Sequence, residues 1–294
     1  MSLPSTTHIG SVALTVADLP RSLRFYTEVL GFQVQAESDF TASLAAAGTP
    51  ALVELTARPA ARPKPARSTG LYHFAVLVPT RQDLACVLRR LVQADWPLQG
   101  VADHGVSEAL YLADPDGNGV EVYADRPRDT WPVRSGRLQM FTEPLDLGDL
   151  LKELDRDRRP WPGLPQGTCI GHVHLHVADL AEAERFYCGA LGFDLMQRYG
   201  PSALFVSAGG YHHHVGLNTW AGVGAPPPPA DAAGLRHFTV VLPDEAALAA
   251  VLRRLEAAGR PAEPGADGWY VADPSANRVR LAMAAAPPPY GDHI

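Results

Sequence analysis

The chain has 294 residues, about twice the usual single-domain length, which favours two domains of roughly 150 residues each with ample core. Apolar residues make up 46% and charged residues 19%, which excludes a disordered or low-complexity chain. A net charge of -7 leaves no basic face for a phosphate backbone or an anionic bilayer, so neither nucleic acid nor a membrane is an expected partner.

No apolar run approaches the ~20 residues needed to span a bilayer. The start, MSLPSTTHIGS, has no basic segment followed by an apolar one, so a cytoplasmic location is expected. Cys86, Cys169 and Cys188 are odd in number and widely spaced, which reads as buried or idle thiols.

In chain order, VALTV opens with apolar residues at every second position, the period of a strand, and is followed by a helix over 19–30 capped by Asp18. HFAVLV repeats the strand pattern, Thr80 caps a helix over 81–94, and ALYLADPDGNGVEVY (109–123) supplies closing strands. From Asp125 to Gly167 there are six prolines and the charged segment LLKELDRDRRPWPG, a linker with a short helix expected at 146–155. VHLHV and HFTVVL then open two further units, with helices over 180–191 and 245–258 capped by Asp179 and Asp244. A proline-rich loop, 222–234, separates them.

Residues 12–32 and 173–193 are identical at twelve of twenty-one positions without a gap, so the halves are a duplication. GLYHFAVLVPT (70–80) likewise answers GLRHFTVVLPD (234–244), and 109–123 answers 269–283. Each half is itself doubled, giving four strand–helix–strands modules near 8–58, 70–124, 170–219 and 234–284. The expected class is α+β, with a first domain at 1–124, a linker at 125–167 and a second domain at 168–286.

Of eleven histidines, six fall in two short segments: His172, His174 and His176 in GHVHLHV, and His212, His213 and His214 in YHHHVGLN. On a strand the first three share one face, where unpartnered ring nitrogens call for a polar cavity or a metal. A facial metal site also needs a carboxylate. The closing strand NGVEVY offers Glu121, but its counterpart in the second half is Arg280, which ligates no cation. Conversely, His172 corresponds to Ser11, and the HHH segment corresponds to TPALVEL. Each half lacks what the other has.

The V-x-D-L…F-Y-x-x-x-L-G-F pattern and the D-P-x-G-N-x-x-E closing strand resemble the vicinal oxygen chelate (VOC) superfamily, which includes glyoxalase I, bleomycin-resistance proteins and extradiol dioxygenases. The resemblance covers nearly the whole chain outside the linker, and within the superfamily it is most similar to two-domain catechol 2,3-dioxygenases. It implies βαβββ modules paired into two cup-shaped sheets. Carried over residue by residue, it implies metal ligands at His172, His213 and Glu121, a catalytic histidine at His73 and a catalytic tyrosine at Tyr111. His212 and His214 stay open as alternatives to His213, because a one-residue slip exchanges them. His174, Asn218 and His104 are candidates for contact with substrate. Glu54 resembles a glyoxalase carboxylate ligand but belongs to module one.

His73, Tyr111 and Glu121 lie in module two, and His172 and His213 in module three. Pairing two with three, and one with four, puts all five groups in one cup and leaves Ser11, His237, Tyr270 and Arg280 in the other. That non-sequential pairing is expected. Two imidazoles and one carboxylate leave three open metal positions, enough for a diol and dioxygen. The resemblance thus implies a non-haem Fe(2+)-dependent extradiol dioxygenase acting on catechol or a substituted catechol with O2, Mn(2+) being the alternative ion. Other readings are a glyoxalase-like metal-dependent isomerase or lyase, and a non-catalytic small-molecule-binding VOC protein. The linker stretch WPVRSGRLQMFTEPLDL has two open placements, over the cup or against a second copy in a homo-oligomer.

Overall fold

The computed structural model describes residues 2–156 and 161–284; His293 and the expected domain end at 286 lie outside them. In chain order the strands are β1 (His8–Val16), β2 (Gln33–Glu37), β3 (Thr41–Ala45), β4 (Val53–Ala57), β5 (Gly70–Leu77), β6 (Gly100–Asp103), β7 (Ser107–Ala113) and β8 (Gly119–Asp125). The linker holds a small hairpin, β9 (Val133–Arg134) and β10 (Arg137–Leu138). The second half gives β11 (Cys169–His176), β12 (Asp194–Tyr199), β13 (Ala203–Ser207), β14 (Val215–Asn218), β15 (Gly234–Leu242), β16 (Glu263–Gly265), β17 (Gly268–Ala272) and β18 (Arg278–Met283). One helix follows the first strand of every module: α1 (Leu19–Arg24), α2 (Arg81–Gln93), α4 (Leu180–Glu184) and α5 (Glu245–Ala257). α3 (Leu147–Leu151) is the expected linker helix, continued as a 3-10 turn over Lys152–Arg156. No helix among the described residues is long and apolar enough to cross a membrane.

Two eight-stranded sheets result, ordered β12-β13-β14-β11-β5-β8-β7-β6 and β16-β17-β18-β15-β1-β4-β3-β2. Module two therefore pairs with module three and module one with module four, through antiparallel β5–β11 and β1–β15 at the sheet centres. Alternation assigns the faces. Val173, Leu175 and Val177 join the main hydrophobic core, while His172, His174 and His176 turn into the cup.

The four expected caps all form: the side chains of Asp18, Thr80, Asp179 and Asp244 accept from the backbone N–H three residues on, and Thr80 with Asp83 completes a capping box. The first and third modules depart from a simple helix over 19–30 and 180–191. After one α turn each widens into a π turn, Phe25–Val29 and Arg185–Leu191. Each π turn buries two consecutive aromatics, Phe25 with Tyr26 and Phe186 with Tyr187.

These aromatics join modules that the sheets keep apart. Tyr26 of module one donates to Asp114 Oδ2 of module two at 3.0 Å, and Tyr187 of module three donates to Asp273 Oδ2 of module four at 3.1 Å. Asp114 also closes its own D-P-D-G-N turn, with Oδ1 accepting from the N–H groups of Asp116 and Asn118. Asp114→Ala would leave a buried hydroxyl and two turn amides without an acceptor. A loss of about 2–4 kcal/mol is expected, read as a lower urea midpoint at unchanged m-value.

Candidate metal centre and its cavity

The site is built around Ala75 in the middle of β5. His172 on β11 and Glu121 on β8 are its register partners on either side, and the fully buried alanine leaves the gap across which they meet. His73 lies two residues back on the same face of β5. His172 Nε2 and His73 Nε2 each lie 3.0 Å from Glu121 Oε2. Among the described residues, these three side chains form a group whose ligand atoms all lie within 4.8 Å of one another.

Burial lowers the pKa of His172 to about 4 and drives His174 and His213 well below the ordinary imidazole range, assisted by the neighbouring rings. Burial alone would raise the pKa of Glu121; His172 first, then His73, reverse that and hold it well below the usual carboxylate range. His172 is thus a neutral ring beside one negative charge, its Nε2 hydrogen resting on Glu121 Oε2 where a metal ion would displace it. His73 Nε2 is buried and lies off any hydrogen-bonding direction despite its closeness to the carboxylate. An orphaned ring nitrogen converging with a carboxylate and a second imidazole fits a divalent transition metal in facial two-His, one-carboxylate coordination.

This trio differs from the expected one in a single member. His73 stands where His213 was expected, and His213 lies beside the group, its ring centroid 4.0 Å from that of His172. The cause is local. Alternation presumed a strand through the triple-histidine segment, but β14 begins only at Val215, and residues 211–214 form an irregular turn. His213 Nδ1 is directed to His212 Nδ1, 2.7 Å away, rather than to Glu121.

The sequence profile described as the Glyoxalase/Bleomycin resistance protein/Dioxygenase superfamily matches residues 8–122 and 169–292. A Bacillus subtilis (strain 168) protein named catechol-2,3-dioxygenase is 51% identical over 276 residues, 93% of this chain and 96% of that one. The chain belongs to this superfamily. Among solved structures, a Bacillus subtilis protein provisionally assigned as a dioxygenase superposes with a TM-score of 0.67 at 13% identity, covering 97% of this chain and 87% of that one. Zea mays glyoxalase I superposes with a TM-score of 0.57 at 17% identity, covering 94% and 92%. Both share the superfamily fold.

In this superfamily member the cup above the centre holds a cavity of about 310 Å³. Tyr111 stands on β7 opposite Glu121, and its hydroxyl meets His104 Nε2 at 2.7 Å. His104 Nδ1 lies 2.8 Å from the carbonyl of Phe141, which can only accept, so Nδ1 carries the proton and Nε2 accepts from Tyr111. His174 lines the wall with its ring against β14, at a position where any side chain on Gly216 would come within 2.8 Å of it. Asn218 does not line the cavity; its Oδ1 accepts from His176 Nδ1 and from the backbone N–H of Trp220, so it orients two residues at the rim.

Sequence reasoning left the rest of the wall unassigned: Tyr72, Tyr199 and Phe205 from the strands, and Met140, Phe141 and Thr142 from the linker. The linker therefore takes the first of its two placements, over the cup. Its one signal was the apolar Met140-Phe141 pair in an otherwise polar, proline-rich stretch.

The second cup of the superfamily fold holds Ser11, Glu54, His237, Tyr270 and Arg280, as the module pairing requires. A guanidinium occupies the place of the metal group. Arg280 donates to Thr239, Ser11 and Glu54 at 2.9, 3.2 and 3.3 Å and also pairs with Asp267. This cup carries its own cation.

Proposed function

We propose that the protein is an extradiol ring-cleaving dioxygenase, with Fe(2+) held by His73, His172 and Glu121 and Mn(2+) as the alternative ion. The observation that carries this reading is the convergence of two buried imidazole nitrogens on one carboxylate, at the floor of a partly open, aromatic-lined cavity. Such an ion supplies Lewis acidity for a diol and an electron for dioxygen, in the positions that three protein ligands leave open. The catechol-2,3-dioxygenase name of the 51% identical relative supports the same reaction class.

The protein's own residues supply binding and proton handling. Tyr111, with its proton engaged by His104, turns an oxygen lone pair toward the cavity and accepts a hydrogen bond from a substrate hydroxyl. His213, exchanging roles with the expected His73, accepts the proton of that hydroxyl group's neighbour. Tyr72, Phe141, Phe205 and Trp220 enclose an aromatic ring and exclude water. Among the described residues that line the cavity none is Lys or Arg, and Glu121 is the one carboxylate. That supports catechol itself or a catechol with an uncharged substituent, because a second carboxylate would enter unpaired. It also weighs against a glyoxalase-like site with several carboxylate ligands.

The test is oxygen uptake by protein purified without air, reconstituted with ferrous iron and mixed with catechol or 4-methylcatechol. A yellow ring-opened semialdehyde with one O2 consumed per catechol is expected. Absence of oxygen uptake with either compound, together with turnover of a hemithioacetal by the nickel or zinc form, would overturn the reading.

A further inference from the structure

We propose that Asp125, His212 and His213 form a hydrogen-bonded relay that fixes which ring nitrogen of His213 is left bare toward the cavity, so that Asp125 and His212 are positioning residues for it. The role of His213 rests on the function proposed above; the tautomer does not. His212 is fully buried, with Nε2 3.0 Å from Asp125 Oδ1 and Nδ1 2.7 Å from His213 Nδ1. The carboxylate is itself held. Asp125 Oδ2 accepts from the Tyr211 hydroxyl at 2.9 Å, and that hydroxyl meets the Tyr123 hydroxyl at 2.7 Å.

The proton positions follow from chemistry. A carboxylate only accepts, so His212 Nε2 carries a hydrogen. In its neutral form His212 has one N–H, used on Asp125, which leaves Nδ1 as a lone pair. Two ring nitrogens 2.7 Å apart need one hydrogen between them, and His213 Nδ1 must provide it. His213 Nε2 is then bare, the form able to take a proton from a bound hydroxyl.

The arrangement depends on residues outside the three proposed ligands, although Tyr123 also packs on the His172 ring at 4.9 Å. The Tyr123 hydroxyl sits where a side chain on residue 171 would begin, 1.7 Å from that Cβ position, so Gly171 is required for the Tyr123–Tyr211–Asp125 link. Trp131 of the linker packs on His212 with centroids 5.4 Å apart. His214, the third of the triplet, stands outside the relay, its Nδ1 engaged by the Ser207 hydroxyl and the Ala208 N–H.

Two measurements test the relay. In the metal-free full chain, side-chain 15N spectra should show His213 with a protonated Nδ1 and an unprotonated Nε2, and His212→Phe should abolish that preference. Kinetically, Asp125→Ala and His212→Phe should lower kcat about 10- to 1,000-fold while KM stays within about twofold and metal content is unchanged. His212→Asn, whose amide oxygen can accept from His213 Nδ1, should recover about tenfold over His212→Phe. A wild-type spectrum with His213 Nε2 protonated would overturn the proposal, as would a change in KM alone or His212→Phe matching wild-type kcat. If the wild-type protein cleaves no catechol, the proposed function fails while the 15N spectra still decide the relay.

Discussion

His73→Ala is expected to reduce bound iron from one per chain to trace levels, whereas His213→Ala is expected to keep the iron and lose turnover. The pair separates ligand from acid–base histidine. His73 Nε2 lies 3.0 Å from the carboxylate oxygen that His172 also approaches, so its removal leaves one imidazole and one carboxylate, too few donors to hold a divalent ion against dilution. His213 contributes no atom to that group and is tied to His212 instead. Its loss should lower kcat by about 10²- to 10⁴-fold, the range for removal of a positioned acid–base group. Iron content by elemental analysis and single-turnover rates under saturating oxygen provide the two readings. Retention of iron by His73→Ala, with loss from His213→Ala, would restore the ligand set that the family resemblance implies.

Glu121→Gln should be as severe, although the side chain keeps its shape. Glu121 is buried and, among the described residues, is the one carboxylate lining the cavity. Replacing it by an amide removes the negative charge opposed to a dication in a low-dielectric site, and puts an NH2 group against ring nitrogens that would otherwise face a metal. Metal affinity is expected to fall by at least about 100-fold, beyond the 10- to 100-fold typical of groups that merely orient a ligand. The informative control is Arg280→Ala in the other cup. It strips Glu54 and Asp267 of their common partner and should lower Tm, but it should leave metal content at wild-type level. Loss of metal from the Arg280 variant at unchanged Tm would mean that the two cups share one site.

Much of the architecture was readable because the duplication is imperfect in an informative way. Ser11 in place of a histidine and Arg280 in place of a glutamate make each half insufficient, and only the pairing of modules two and three assembles a complete set. The four caps and the inward row of His172, His174 and His176 followed from local rules of spacing. The placement of the second ligand at His213 came from the family resemblance; the chain turns there before β14 begins, and His73 is the histidine that lies against Glu121. The wall formed by Met140 and Phe141 was illegible for a related reason. A segment without periodicity gives no face, and its place over the cup is set by tertiary contacts such as the Phe141 carbonyl on His104.

The interleaved sheets also impose an order on the birth of the molecule. Synthesis proceeds from the N-terminus, at about 5–20 residues per second. The metal-bearing sheet has all its strands once β14 ends at Asn218, whereas its counterpart waits for β18, ending at Met283. Throughout that interval β1, whose partner β15 is not yet made, is the open edge of a half-sheet. Such an edge offers unpaired N–H and C=O groups to any passing strand, including β1 of another nascent chain. A strand made early is thus among the last to be covered, and the hazard of mispairing falls on the cup that carries no metal group.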